Sequence, residues 1–291
     1  MRKFAVIDVG SNSVRLMFVA DGKVLYKALS TTRLGEGLVQ TALLKSEAIE
    51  RSAQAVANFY ERAKREGAEN VYAFATAAVR TAENRSLFID RVKELCPLCV
   101  EVISGEEEAE LGVLGALGTQ DGAVIDVGGA STEIVVKKEG ALVYKKSVDV
   151  GVVRLKERCG LEVAKLHNYT KENLKEYGEI PFQGKIYAIG GTATTLAAQY
   201  LQLTEYDSNK VTGTSISLPA IRELENRFLS MTTAEMENLP CMPKGRADVL
   251  AQGTVWIRVL MEEFAFSHLI VSDCDNLEGY AIKRGFMEQK L

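Results

Sequence analysis

Apolar and polar residues alternate along this chain with two different periods. Residues 4–9, 14–19 and 23–27 are rich in β-branched and aromatic side chains and read as strands. Gly10-Ser11-Asn12-Ser13 and Ala20-Asp21-Gly22 supply turn chemistry between them. From residue 46 the period lengthens: Ile49, Ala53, Val56, Phe59, Tyr60 and Ala63 recur at steps of three and four, which predicts a helix over 46–66. Ser46 is placed to cap its start and Gly67 to close it. A strand at 71–74, a helix at about 85–95 capped by Asn84, and a strand at 100–103 follow. Ser104-Gly105-Glu106-Glu107 is a capping-box pattern opening a helix through Leu117.

The opening pattern then returns. Ala123-Val-Ile-Asp-Val-Gly128-Gly129 repeats Ala5-Val-Ile-Asp-Val-Gly10 about 118 residues further on. Strands at 131–136 and 141–145 follow it, as two strands followed the first copy. The repeat predicts duplicated halves of one fold, with both glycine turns lining the cleft between them. A further glycine turn, Gly190-Gly191-Thr192, ends a strand beginning at Ile186 and opens a helix. The last hundred or so residues read mainly as helices. Pro219 follows a Ser217 cap, Thr232 and Glu235 make a capping box, and residues 247–264 form a longer apolar helix. A strand at 268–272, a turn at 273–276 and a terminal helix complete the pattern.

Composition narrows the chemistry. Hydrophobic residues at 47% and charged residues at 25% exclude a disordered chain or a coiled coil. Net charge is −4, so a polyanion must be held by local groups rather than by the overall field, and no nucleic-acid partner is expected. Two histidines cannot build a histidine-rich zinc site. Five cysteines fit a reducing compartment better than a disulfide scaffold. Cys96-Pro97-Leu98-Cys99 has redox spacing but lies where a helix gives way to a strand, and reads as packing. The chain shows no leader pattern and no apolar run long enough to span a bilayer, so a cytoplasmic protein without a membrane partner is expected.

Each glycine turn offers an anion cradle. Successive amides at residues 10–13, with the Ser11, Asn12 and Ser13 side chains, form a nest for phosphate. Gly128, Gly129, Ser131 and Thr132 offer a second, and Gly190, Gly191 and Thr192 add a helix N-terminus. Asp8 and Asp126 end their strands where a metal ion or its water would sit beside that phosphate. A Gly-x-x-x-x-Gly-Lys-[Ser/Thr] loop is absent, so the phosphate site is of another type.

These strings resemble the paired phosphate motifs and third loop of the actin/Hsp70/sugar-kinase superfamily. More narrowly, the chain resembles the exopolyphosphatase / guanosine pentaphosphate phosphohydrolase family in its short, two-domain form. The supporting strings are Thr32-Arg-Leu-Gly-Glu-Gly-Leu38, Ala75-Thr-Ala-Ala-Val-Arg80 with Asn84, Ile103-Ser-Gly-Glu-Glu-Glu-Ala109, and Arg246-Ala-Asp-Val249 with Ser272-Asp273. The resemblance implies an α/β fold of two duplicated actin-like ATPase (ribonuclease H-like) domains flanking a cleft. Its lobes would be 1–117 and 118–278, with a C-terminal helix at about 279–291 joining the first.

It also implies roles. Glu108 would be the general base that activates water, whereas Glu107 caps its helix. Read from the residues alone, Glu108 is more readily a solvated acid in a helix's first turn, and the resemblance reverses that reading. Asp126 and Glu133, with Asp8 as a weaker candidate, would hold Mg²⁺. Arg15, Arg33 and Arg80 stand at family cation positions, with Arg80 a phosphate contact, and Lys244 and Arg246 add a local basic element. Polyphosphate or a guanosine penta- or tetraphosphate is the implied substrate, and a homodimer is the implied assembly. An ATP-dependent kinase or ATPase, or a non-catalytic nucleotide sensor, would use the same cleft. Three departures from the family pattern stand out: Ala130 for a third Gly, Glu110 for a frequent Arg, and residues 272–279, which depart from Ser-Asp-x-Gly-Leu-Arg-Glu-Gly by losing a Gly and an Arg.

Overall fold

The computed structural model describes residues 2–288. Strands β1 (Lys3–Val9), β2 (Ser13–Ala20), β3 (Lys23–Thr31), β4 (Asn70–Ala75) and β5 (Val100–Val102) form one sheet, in the order β3-β2-β1-β4-β5. Strands β6 (Gly122–Val127), β7 (Thr132–Lys138), β8 (Ala141–Val148), β9 (Gly184–Ile189), β10 (Ser215–Ser217) and β11 (Phe266–Val271) form the other, in the order β10-β11-β9-β6-β7-β8. Read from β8 inward, the second sheet repeats the first and adds β10 at its far edge.

The match extends to single residues. In both sheets the strands joined by tight turns pair antiparallel and the central crossovers pair parallel. Val9 faces Val14 as Val127 faces Thr132, so Asp8 stands opposite Arg15 and Asp126 opposite Glu133. Even the register shift recurs, between Phe18 and Val19 and between Val136 and Lys137. The protein is a mixed α/β fold of two actin-like lobes.

Burial explains the strand sequences. Central β1 is covered on both faces and reads as a nearly continuous apolar run, whereas edge strand β3 keeps Lys23 and Lys27. The helices Ser46–Arg65 and Arg85–Leu95 bury Ala53, Val56, Phe88 and Val92 in the first lobe's core. In the second lobe the helix Ala247–Glu263 carries fully buried Trp256, whose Nε1 donates to Thr132 Oγ1 at 2.9 Å.

Two helices cross between the lobes. The junction helix, Gly105–Leu117, packs Ala109, Val113 and Leu117 against Val124, Val135 and Ile189 of the second sheet. The terminal helix, Asn276–Lys283, packs Leu277, Tyr280 and Ala281 against Phe4, Val6, Met17 and Phe74 of the first. They meet backbone to backbone at Gly115 and Gly279.

Some local expectations are corrected. Ser46 is the first helical residue rather than the cap, which is Lys45 and makes no side-chain bond. Asn84 holds its cap position, but its amide is spent on Leu44 N and O, at 2.8 and 2.9 Å. The terminal helix begins at Asn276 because Asp275 and Glu278 form a capping box. It stops at Lys283, and residues 289–291 of the expected helix lie outside the described residues.

Candidate active site

The two repeated turns face each other across a solvent-open cleft of about 640 Å³. Each turn is closed by the same bond, Gly10 N to Ser13 O and Gly128 N to Ser131 O, both 3.0 Å. Their carbonyls are tied back by the segments that follow each third strand. Asn12 O accepts from Thr32 N and Arg33 N, while Gly128 O and Gly129 O accept from Val152 N and Val153 N. Among the described residues the amides of Ser11, Asn12, Gly129 and Ala130 have no protein acceptor. Orphan amides beside a cleft are what an anion cradle requires.

Strand β9 ends at a third turn that lines the same cleft. Gly190 adopts φ +82°, and a Cβ there would stand 2.6 Å from Asp126 Oδ1, so both backbone and space demand glycine. Asp126 itself accepts from Asn276 Nδ2 at 3.1 Å. Burial and the neighbouring Glu108 and Asp275 carboxylates push the Asp126 carboxyl up to about 7.

The capping box of the junction helix places Glu108. Ser104 Oγ accepts from Glu107 N at 3.0 Å, and Glu107 Oε2 accepts from Ser104 N at 3.1 Å. Glu107 is thereby consumed as a cap, and Glu108 turns inward to line the cleft at 7% exposure. It is not a solvated acid of the first helical turn. Arg80 Nη1 donates to Glu108 Oε2 at 2.8 Å, and Thr76 also hydrogen-bonds it. Burial raises the carboxyl above its ordinary range, with Arg80 opposing that rise.

Most residues expected at the site meet in this cleft: Asp8, Gly10, Ser11, Asn12, Ser13, Glu108, Asp126, Gly128, Gly129, Ser131, Gly190 and Gly191 line it. Arg80 stands behind Glu108. Glu133 is buried behind the second turn, with Oε1 accepting from Ser147 Oγ at 2.6 Å, and burial raises its carboxyl. Thr132 and Thr192 do not reach the cleft. Their hydroxyls donate to Val150 O and Val127 O inside the second lobe. Arg33 pairs instead with Asp248 at 2.8 Å, away from the turns. Cys96 and Cys99 are free, one buried and one exposed, and lie outside the cleft.

Four lining residues with polar side chains fall outside the expected anion-cradle set: Arg15, Thr76, Arg246 and Asn276. Arg246 is 9% exposed, and its backbone is engaged by Pro243, Val249 and Leu250, yet among the described residues its guanidinium has no hydrogen-bond or ion-pair partner. Burial, with Arg15 nearby, lowers its guanidinium to about 10. Such a cation is costly without an anion, by several kcal/mol on general grounds. Arg15 is the opposite case, held charged against burial by Asp275 and Asp8.

Among the described residues no three His, Cys, Asp or Glu side chains stand close enough to hold a metal by themselves. The oxygens that remain open are buried Asp8 Oδ1 and Glu133 Oε2, with Asp126 on the cleft wall. That donor set fits Mg²⁺, which keeps several waters and takes few protein carboxylates.

The Ppx/GppA phosphatase family profile matches residues 5–284. Exopolyphosphatase 2 of Mycobacterium tuberculosis is 32% identical, with 97% of this chain and 98% of that protein aligned. A guanosine-5'-triphosphate,3'-diphosphate pyrophosphatase of Pseudoalteromonas translucida is 28% identical over 99% of this chain and 59% of its own. The crystal structure of an exopolyphosphatase from Cytophaga hutchinsonii superposes with TM-score 0.87 at 26% identity, covering 98% of both chains. A profile spanning nearly the whole chain, with a relative aligned end to end, shows that this protein belongs to the Ppx/GppA phosphatase family.

Proposed function

We propose that the protein is a phosphohydrolase that releases terminal phosphate from inorganic polyphosphate, guanosine pentaphosphate or both. The observation that carries this reading is Glu108, a buried carboxylate aimed into a cleft otherwise walled by glycine turns. Phosphoryl transfer needs positioning and charge neutralisation more than covalent chemistry. Amides of the turns at 10–13, 128–131 and 190–191 grip the terminal phosphates. Glu108 accepts a proton from the attacking water, and Arg80 holds its carboxylate in place. Asp126, with Asp8 and Glu133 behind it, would hold hydrated Mg²⁺. When bound, the ion would offset charge on the phosphate oxygens.

Arg246 supplies the remaining positive charge for the substrate. Because it is unpaired, Arg246→Met is expected to raise the melting temperature of the ligand-free protein by several degrees, roughly 2–6 °C. The same change should raise KM by about tenfold or more. A lowered melting temperature with an unchanged KM would remove Arg246 from the substrate site.

Beyond Arg246 the cleft continues into a compartment walled by Leu29, Tyr206, Cys241, Pro243 and Leu277. Asp273 and Asp275 also face it. Arg15, Lys27 and Arg246 line it as well and balance the two carboxylates, so it is the apolar walls that suit a nucleotide's base there. Side-by-side kinetics on long polyphosphate, short polyphosphate, guanosine pentaphosphate and ATP, with and without Mg²⁺, test the proposal. Magnesium-dependent phosphate release from polyphosphate or pentaphosphate is expected. Release from ATP alone, or tight alarmone binding without turnover, would replace it with an ATPase or a sensor.

A further inference from the structure

The segment that departs from the family pattern at 272–279 sits at the centre of the cleft's polar network. Where the pattern has Gly-Leu-Arg, this chain has Asp275-Asn276-Leu277. Asp275 caps the terminal helix: Oδ1 accepts from Leu277 N at 3.0 Å, and its own N–H donates to Glu278 Oε2 at 3.0 Å. Its second oxygen, Oδ2, is bound by Arg15 Nη1. Arg15 in turn donates from Nε to Asp8 Oδ2 at 3.0 Å. The next residue, Asn276, donates from Nδ2 to Asp126 Oδ2 at 3.1 Å. Asp8, Asp275 and Asn276 are buried and Asp126 is half-buried, so these bonds are poorly interchangeable with bonds to water.

Two adjacent residues therefore reach the strand-end aspartates of both repeats. The reach to Asp126 ties the second sheet to the terminal helix, whose apolar face packs on the first. The reach to Asp8 crosses between lobes, since Arg15 lies on β2 and Asp275 follows β11. Lys27 reinforces that crossing by pairing with Glu278 at 2.7 Å. Asp275 and Asn276 are adjacent but contact different lobes, so parting the lobes by a few ångströms would break the Arg15–Asp275 pair, the Asn276–Asp126 bond or both.

We propose that Asp275 and Asn276 form a positioning element that orients Asp126 directly and Asp8 through Arg15, so that closure of the lobes sets both carboxylates. Neither residue is catalytic, because each acts through another side chain. The kinetic part of the inference rests on the phosphohydrolase reading, and the structural part does not.

The test uses the full chain and two variants. Asp275→Asn keeps a good N-cap but removes the charge that holds Arg15. Asn276→Leu removes the donor to Asp126 and restores the residue of the family pattern. Asn276→Leu should melt within about 3 °C of the parent, whereas Asp275→Asn, which removes a buried partner of Arg15, should melt lower but remain folded at the assay temperature. On the parent's best phosphate substrate, kcat should fall about tenfold or more while KM stays within about threefold. Hydrogen exchange in the ligand-free protein separates their actions. Asp275→Asn should speed exchange of the Gly10 amide, which closes the 10–13 turn, by about fivefold or more, and Asn276→Leu that of the Gly128 amide, which closes the 128–131 turn, alone. Unchanged exchange in both turns overturns the inference, whatever the kinetics, because a mere helix cap would behave that way. A kcat loss that only tracks the loss of folded protein overturns it as well. If the parent releases no phosphate from any substrate, the phosphohydrolase reading fails, and the exchange rates alone decide the inference.

Discussion

Glu108→Gln is expected to lower kcat for phosphate release by about a hundredfold to ten-thousandfold while the protein stays folded. The amide keeps the volume of the carboxylate and can still accept from Arg80 Nη1, which now lies 2.8 Å from Oε2. It cannot take a proton from water. Because Glu108 is buried beside Thr76 and Arg80, no solvent carboxylate can replace it. Burial raises its proton affinity, which strengthens it as a base, and Arg80 opposes the rise. KM should change little, since the turns that grip phosphate are untouched. Phosphate release followed by a coupled colorimetric assay, with circular dichroism as the fold control, checks the outcome. Activity within a few-fold of the parent would remove Glu108 from the base role, and attention would pass to Asp126. Arg80→Lys should show a smaller loss, because a point charge replaces a planar donor that also reaches Ile103 O at 3.2 Å.

How much of this was legible beforehand depends on the physical range of each interaction. The duplication was readable because a strand-end Val-Ile-Asp-Val-Gly string is a local feature, and the structure carries it down to one register. The inward turn of Glu108 was half legible. The capping box fixes Glu107 at the cap from sequence alone, but only the tertiary contact with Arg80 shows that the next residue is buried. Arg246 was noted as a basic element, yet the lack of a partner, which gives it meaning, is a non-local property. Asp275 carried a signal that was missed: Asp-Asn-Leu-Glu is itself a capping-box pattern and predicts a helix start there. Its reading as a turn hid the link to Arg15, which lies far away in sequence. Thr132 and Thr192 show the reverse failure. Their motifs place them at the turns, but sheet pleat and helix packing point their hydroxyls into the core.

The charge balance of the cleft follows from the same contacts. Asp8, Glu108 and Asp126 line it with Arg15 and Arg246, so the wall is acidic before any phosphate arrives. Arg15 is already engaged by two carboxylates. A polyanion is then attracted mainly by free amides, by Arg246 and by any bound cation. Net charge −4 is compatible with a polyphosphate substrate on those terms.

Gly279→Ala is expected to be the most damaging small substitution in the protein. A Cβ on Gly279 would stand 1.9 Å from Leu111 O and 2.6 Å from Leu111 C, and one on Gly115 would stand 2.0 Å from Asp275 O. These neighbours are backbone atoms of the two crossing helices, so no side chain can swing aside to make room. The helices must separate by more than an ångström, and each is anchored to a different sheet through Leu277 and Tyr280 or through Val113 and Leu117. Overpacking of this kind costs about 2–4 kcal/mol, which lowers the melting temperature by roughly 5–12 °C in a chain of this size. The same displacement moves Asp275 and Asn276 away from Arg15 and Asp126, so kcat should fall in the protein that remains folded. Gly122→Ala is the control. Its nearest neighbours are Leu117 methyls at 3.4 and 3.5 Å, ordinary contact distances, and it should cost less than about 1 kcal/mol. Thermal denaturation of both variants, with kcat measured below the transition, separates the cases. A Gly279→Ala protein that melts with the parent would mean that the helices can part freely, and the lobes would then be hinged more loosely than their backbone crossing implies.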